Sequence, residues 1–516
     1  VSGLPTGDSG LPVGCAASAL IEASVPVAAV VNSIDLLGAS TAAALARPLN
    51  QGATMNALPI LRSKHTNLAI SSLVQAHNPG SQVAQVTLRM KLWNGQDIVC
   101  PVACKRTIPA GGAAQWDLAA LVDVPENSFG SAWLSSDQPV QASVLETTAV
   151  MDGAMYNALP DRHDQEGDAA RSRFMPLLLV GTGGSGSGPT RTAAPTALPG
   201  STPVPSNTPR SGPIRSLRED VAATGIQVLN LGTAEGDASL RLQDLHGGAP
   251  IQLERPAVPA GVAANVYLPA EASLQNSVYA GLAAVHEQPM DALFRSDWTT
   301  LGKAVLSRAP MADVDIVVPL VARYDGISSS YLFVQNSDPE HAANITLDLR
   351  VAEGQAEGRR SLALSLAAGG ATMIDMSRHP ALQELIADRS SWTGWVRLTS
   401  DRPVAALALS DLERSAGAYV VPGLAPAQLG TRLAAPMLFR HLPENAGQSD
   451  GGVLDSAIHV VNPNPQPVIV ELRYRVSFGG PVGCPGGQEI VHGQEPQTLA
   501  PGELRLFHQH LATGIE

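Results

Sequence analysis

Short runs in which apolar and polar residues alternate with a period of two dominate the chain, each bounded by Asn, Gly, Pro or Asp. That period marks strands with one buried face, and the turn residues between them argue for an all-β chain. One such run recurs four times, at 73–78, 226–230, 332–336 and 458–462, and closes each time on an asparagine: Asn78, Asn230, Asn336 and Asn462. A second strand follows every copy, at 84–88, 238–242, 343–347 and 468–472. Then comes a small-residue turn, at 108–112, 258–261, 366–370 and 499–502, where glycine supplies the positive φ that such turns need.

After three of these turns the chain repeats a further pair of landmarks. An aromatic residue and a glycine open a strand at Phe129-Gly130, Tyr279-Ala280-Gly281 and Trp392-Thr393-Gly394. A polar-Pro-apolar turn then leads into the last strand at 137–140, 287–290 and 401–404. The landmark asparagines lie 152, 106 and 126 residues apart, far beyond the ~40–50 of a propeller blade, so each copy is a module of domain size. The longest spacing holds a Gly/Ser/Thr/Pro tract at 181–213, read as a loop inserted between two strands of one module.

The fourth copy stops short of its closing strands. At the other end, Val25-Pro26-Val27-Ala28-Ala29-Val30-Val31-Asn32 has the character of those strands with no opening half before it. The expected organisation is therefore a closing half-module over 1–57, complete β-sandwich modules over 58–160, 174–310 and 316–425, and an opening half-module over 434–516. Half a sandwich leaves an apolar face and strand edges unpartnered, so the two halves must find each other. The head of one chain can complete the tail of the next, a heterologous contact that propagates unless it closes. Alternatively, the two ends of one chain meet. The first route is expected, with Val25, Val27, Val30 and Val31 of the head packed against Val460, Val468, Val470, Leu472, Leu504 and Leu506 of the tail. At about 25 cal/mol per Å² of apolar area, a shared core of this kind is close to permanent.

Composition narrows the function. Lys+Arg 33 against Asp+Glu 46 gives a net charge of −13, so no basic surface is available to neutralise phosphates, which excludes nucleic acid as a partner. No apolar run is long enough to span a membrane. Gly181-Thr182-Gly183-Gly184-Ser185-Gly186 matches a dinucleotide fingerprint, but a Pro/Thr tract follows where a helix is required. His508 and His510 lack a third ligand, and the acidic stretch 161–168 lacks calcium-loop spacing, so neither a metal nor any other cofactor is expected. Of four cysteines, Cys100 and Cys104 are placed to staple a hairpin. Cys15 and Cys484, each ending a Pro-Val-Gly-Cys tetrapeptide in a separate terminal half, are candidates for an intersubunit bridge.

The segments VQNSDP, IPAGG and SDQPVQASV, with SDRPVAALAL, resemble those of tandem β-sandwich modules in secreted bacterial surface and filament proteins. The resemblance implies immunoglobulin-like modules, an extracellular cell-surface location and a non-enzymatic building block. With the divided module, it leads to a structural protomer of an extracellular filament or sheath that partners itself head to tail. The alternative is an adhesin or carbohydrate-binding array that takes surface glycans as partners.

Overall fold

The computed structural model describes residues 15–508 apart from 36–40, 67–68, 101, 148–152, 161–171, 181–221, 246–248, 275–276, 286–287, 299–302, 325–327, 353–357, 387–390, 413–416, 441, 444–452, 477–488 and 492–495. The chain is all-β and antiparallel, arranged as four modules of two facing sheets.

The third module shows the plan most simply. Asp313–Tyr324 pairs with the first half of Ser391–Leu412, which pairs with Ala343–Val351, and that strand pairs with Gly358–Leu366. The second half of Ser391–Leu412 crosses to the other sheet. There it lies between Ser328–Asn336, itself paired with Ala371–Asp375, and Ala418–Pro422. One long strand thus belongs to both sheets, and their inner faces share a core that includes Val318, Leu347, Trp392, Val396 and Ala406. In the first module Ser128–Thr147 plays the same part. The second module divides it into Ser277–Val285 and Met290–Trp298.

The crossing point corrects one sequence expectation. Asp137–Pro139 and Asp401–Pro403 read as turns between separate strands, yet a single strand runs through each, with a register shift there. Proline has no N–H to give to a ladder, so it is tolerated where the strand leaves one sheet before joining the other. The aspartate before it fills the gap. Asp137 Oδ1 accepts from the Gln85 amide at 2.7 Å, and Asp401 Oδ1 from the Asn344 amide at 2.8 Å.

The four asparagines are structural staples. Each is fully buried, and its amide nitrogen donates across the loop, from Asn336 to the carbonyls of His341 and Ala367 at 2.8 and 2.9 Å. The side-chain oxygen accepts from the amide two residues on, as from Asp338 to Asn336 at 3.0 Å. Asn78, Asn230 and Asn462 repeat this pattern. The paired turn holds Gly111, Gly261, Gly369 and Gly502 at φ of 64, 70, 61 and 77°. The buried asparagine ties two loops that the ladder does not join, adding a second donor to turn carbonyls that already accept from the turn's own amides, as Ala367 does from Gly370.

Replacing Asn336 by Ala removes both cross-loop bonds and the acceptor of the Asp338 amide, and is expected to cost about 1–3 kcal/mol. Urea unfolding of Asn336→Ala beside Asn344→Ala, whose side chain is exposed, checks this; equal midpoints would contradict it.

Candidate functional site

The fourth module has no long strand of its own sequence neighbourhood. Gly430–Arg440, Val453–Val461 and Val468–Val476 supply its opening half, and Cys15–Asp35 enters as the strand that spans both sheets. Its first half pairs Ala17 to Val476 and Ile21 to Leu472, and its second half pairs Val30 to His459. Thr41–Leu45 then adds beside it, and Arg47–Pro48 pairs with Leu433 and Ala434. Within this chain, the head completes the tail of its own module.

The residues nominated for the joint come together there. Val27, Val31, Val460, Val468, Val470 and Leu472 share one core, with Val25 packed at its margin. Val30 and Leu504 instead face the third module. Leu506 lies half-buried on the ladder opposite His459. Polar contacts complete the seam: Ser33 and Ser456 share a buried hydroxyl bond at 2.6 Å, and Ser24 Oγ accepts from the Ile469 amide at 3.0 Å. Glu22 reaches Arg432 at 3.0 Å on the surface.

The reason for closure lies in how successive modules touch. The first strand of each module packs on the second sheet of the next: Ala53–Ser63 on Ala222–Asn230, Ser172–Val180 on Ser328–Asn336, Asp313–Tyr324 on Val453–Val461, and Gly430–Arg440 on Ser71–His77. The same heterologous contact used four times returns to its start, so the modules form a ring rather than a line. Apolar clusters seal each junction. Leu293 and Leu306 join the first module's core, and Tyr331, Phe333, Leu407 and Leu409 join the second's. Val317 and Trp395 meet Ala28 and Val461, and Leu145 and Met155 meet Ala16 and Met437.

At the centre, Thr41–Leu45, Gly153–Asn157, Lys303–Arg308 and Ala418–Pro422, one strand from each module, pack around a cavity of about 70 Å³. Each is followed by the same backbone bond, from Ala46 to Ala29, Ala158 to Ala142, Ala309 to Ala292 and Gly423 to Ala406, at 2.8–3.0 Å. Residues 41–46 therefore stand as the fourth member of a repeated set.

Polar groups fix the junctions. Trp395 Nε1 donates to the Gly502 carbonyl at 2.8 Å, and Ser131 Oγ to that of Gly261 at 3.2 Å. Arg475 donates to the Ala110 carbonyl, and Arg47 Nη1 to that of Ala158 at 2.7 Å. Glu146, wholly buried, pairs with Arg62 of its own module and with Arg295 of the next at 2.9 Å. None of these was visible in the sequence, because the turn glycines announce a bend but not the neighbour that covers it.

His77 lies fully buried where the fourth module meets the first. Burial drives its imidazole down to about 4; a backbone hydrogen bond at Gly111 opposes this, and nearby Arg475 adds to it. Burial likewise lowers His65, beside the Arg62 pair.

Cys100 and Cys104 form a disulfide with Cα atoms 5.5 Å apart. Cys15 begins the joint strand, pairing by backbone with Arg440, whereas Cys484 lies outside the described residues. So do the 181–213 insert, the acidic stretch 161–168 and His510. Among the described residues no cluster of His, Cys, Asp and Glu could hold a metal, and no helix is long and apolar enough to cross a membrane. No known family model matches the chain, and no curated protein sequence matches it.

Two outcomes are expected. Deleting residues 1–48 exposes the core of the fourth module and should yield aggregated protein, whereas moving residues 15–48 behind residue 516 on a flexible linker should restore a monomer melting close to the parent; a stable, monomeric deletion would contradict the joint. An unfolded imidazole takes its proton near 6.5 but folded His77 only near 4, so stability falls as pH drops through that window, by about 3 kcal/mol for this residue. Urea midpoints at pH 7 and pH 4.5 should separate less in His77→Gln than in the parent.

Proposed function

We propose that the chain is a non-enzymatic structural block of an extracellular surface, four immunoglobulin-like sandwiches locked into a closed body by their own termini. The observation that carries this is the pairing of Cys15–Asp35 with three strands of the C-terminal module. A body without loose sheet edges at its ends can stand in an environment that has no chaperones and still resist aggregation. The Cys100–Cys104 bridge supports an oxidising compartment, since structural bonds of this kind are rare in the cytosol.

A filament built by strand exchange is the second reading, and one feature favours it. Every contact of the joint lies between residues 15–48 and the remainder, linked through the short turn Leu49–Gln51, so the same segment of another chain can make the same contacts. At equal contacts the intrachain joint wins through its higher effective concentration.

Light scattering coupled to gel filtration, with negative-stain microscopy, separates the two. The closed block gives compact particles with the mass of one chain across micromolar concentrations. Fibres, or a mass that rises with concentration, would overturn it in favour of exchange.

A further inference from the structure

The first and second modules meet along a surface groove beside the Ser131–Gly261 bond of their junction. Trp93 and Phe129 line it from one side, and Ala263 and Asn265 from the other. Trp93 is 61% exposed, and its ring lies parallel to Phe129, within 8° and 6.1 Å between centroids. Phe129 is backed in turn by His65 at 4.7 Å. The indole is therefore aligned with the Phe129 ring and remains largely in water.

On the opposite bank the strand Ala263–Tyr267 turns Val266 into the core. Ala263 and Asn265 line the groove, and the period of two puts Tyr267 on the same strand face, one repeat beyond them. Tyr267 is 52% exposed, with Asp297 close enough to act on its hydroxyl.

Trp116, Trp298, Trp392 and Trp395 are by contrast buried, and Trp133 is partly buried. Leaving an indole in water forgoes one of the largest apolar gains a side chain offers, and an outward, aligned ring is ready to stack at little ordering cost. An exposed indole and an amide in one groove, with an exposed tyrosine next along the strand, match a sugar chain. The C–H faces of pyranose rings are apolar, and their hydroxyls seek donors and acceptors at the edge. Charge selects the kind of sugar. A net charge of −13 repels acidic sugars, while Asp297 is engaged by Arg295 at 2.6 Å and Lys64, next to His65 in the chain, by Glu126.

We propose that this groove binds a neutral oligosaccharide, stacked on Trp93 and Tyr267 and hydrogen-bonded by Asn265. The site does not depend on whether the chain acts singly or by strand exchange.

Isothermal titration of the full chain with cellohexaose, xylohexaose, mannohexaose and maltohexaose tests it. At least one should bind, about tenfold or more weaker in Trp93→Ala and in Tyr267→Ala, both melting with the parent. In the unaltered chain the bound sugar should slow oxidation of Trp93 by N-bromosuccinimide. Binding by none of the four, binding unchanged in both variants, or stronger binding of an acidic hexamer such as hexagalacturonate would each overturn the proposal. So would a proline-rich peptide spanning 189–210 that protects Trp93 where the sugars do not.

Discussion

The molecule depends on a strand delivered from the far end of its own sequence. Cys15–Asp35 is the spanning strand of a sandwich whose opening strands begin at Gly430, and its valines fill a core that would otherwise face water. In the third module the equivalent strand, Ser391–Leu412, comes from within the same stretch of chain and makes the same two sets of pairings. The fourth module carries a long loop-closure cost that the third does not, and the apolar area it buries offsets that cost.

That one joint also decides the assembly. Each module offers its first strand to the second sheet of the next, a contact with no built-in end. Closure after four turns an open series into a finite body, and the polar bonds at Gly502, Gly261 and Ala110 hold neighbouring modules in register. The buried Arg62–Glu146–Arg295 group adds orientation more than strength, since desolvating charges consumes most of what their attraction returns.

Much of this was legible in the residues. Alternation gave the strands, the four asparagines and turn glycines gave the repeat, and the lone half-copies at the termini gave the shared module. What stayed hidden was relational. Val27 shares a core with Val460, Val468 and Val470 of its own chain, but which chain supplies such neighbours depends on the angle between successive modules, and no local pattern encodes that angle. Pro139 and Pro403 looked like strand ends because a missing N–H usually marks one; here it marks a change of sheet. The groove of Trp93 and Tyr267 escaped notice for a similar reason, since an exposed aromatic and a buried one read alike until the neighbouring module is in place.

Both ends of the described chain belong to one module, which has a mechanical consequence. Tension applied between residues 15 and 508 is borne by the fourth sandwich alone, through ladders that run antiparallel beside Cys15–Asp35. The other three lie outside the load path, so the ring yields first at the seam that closes it while the remaining sandwiches stay relaxed.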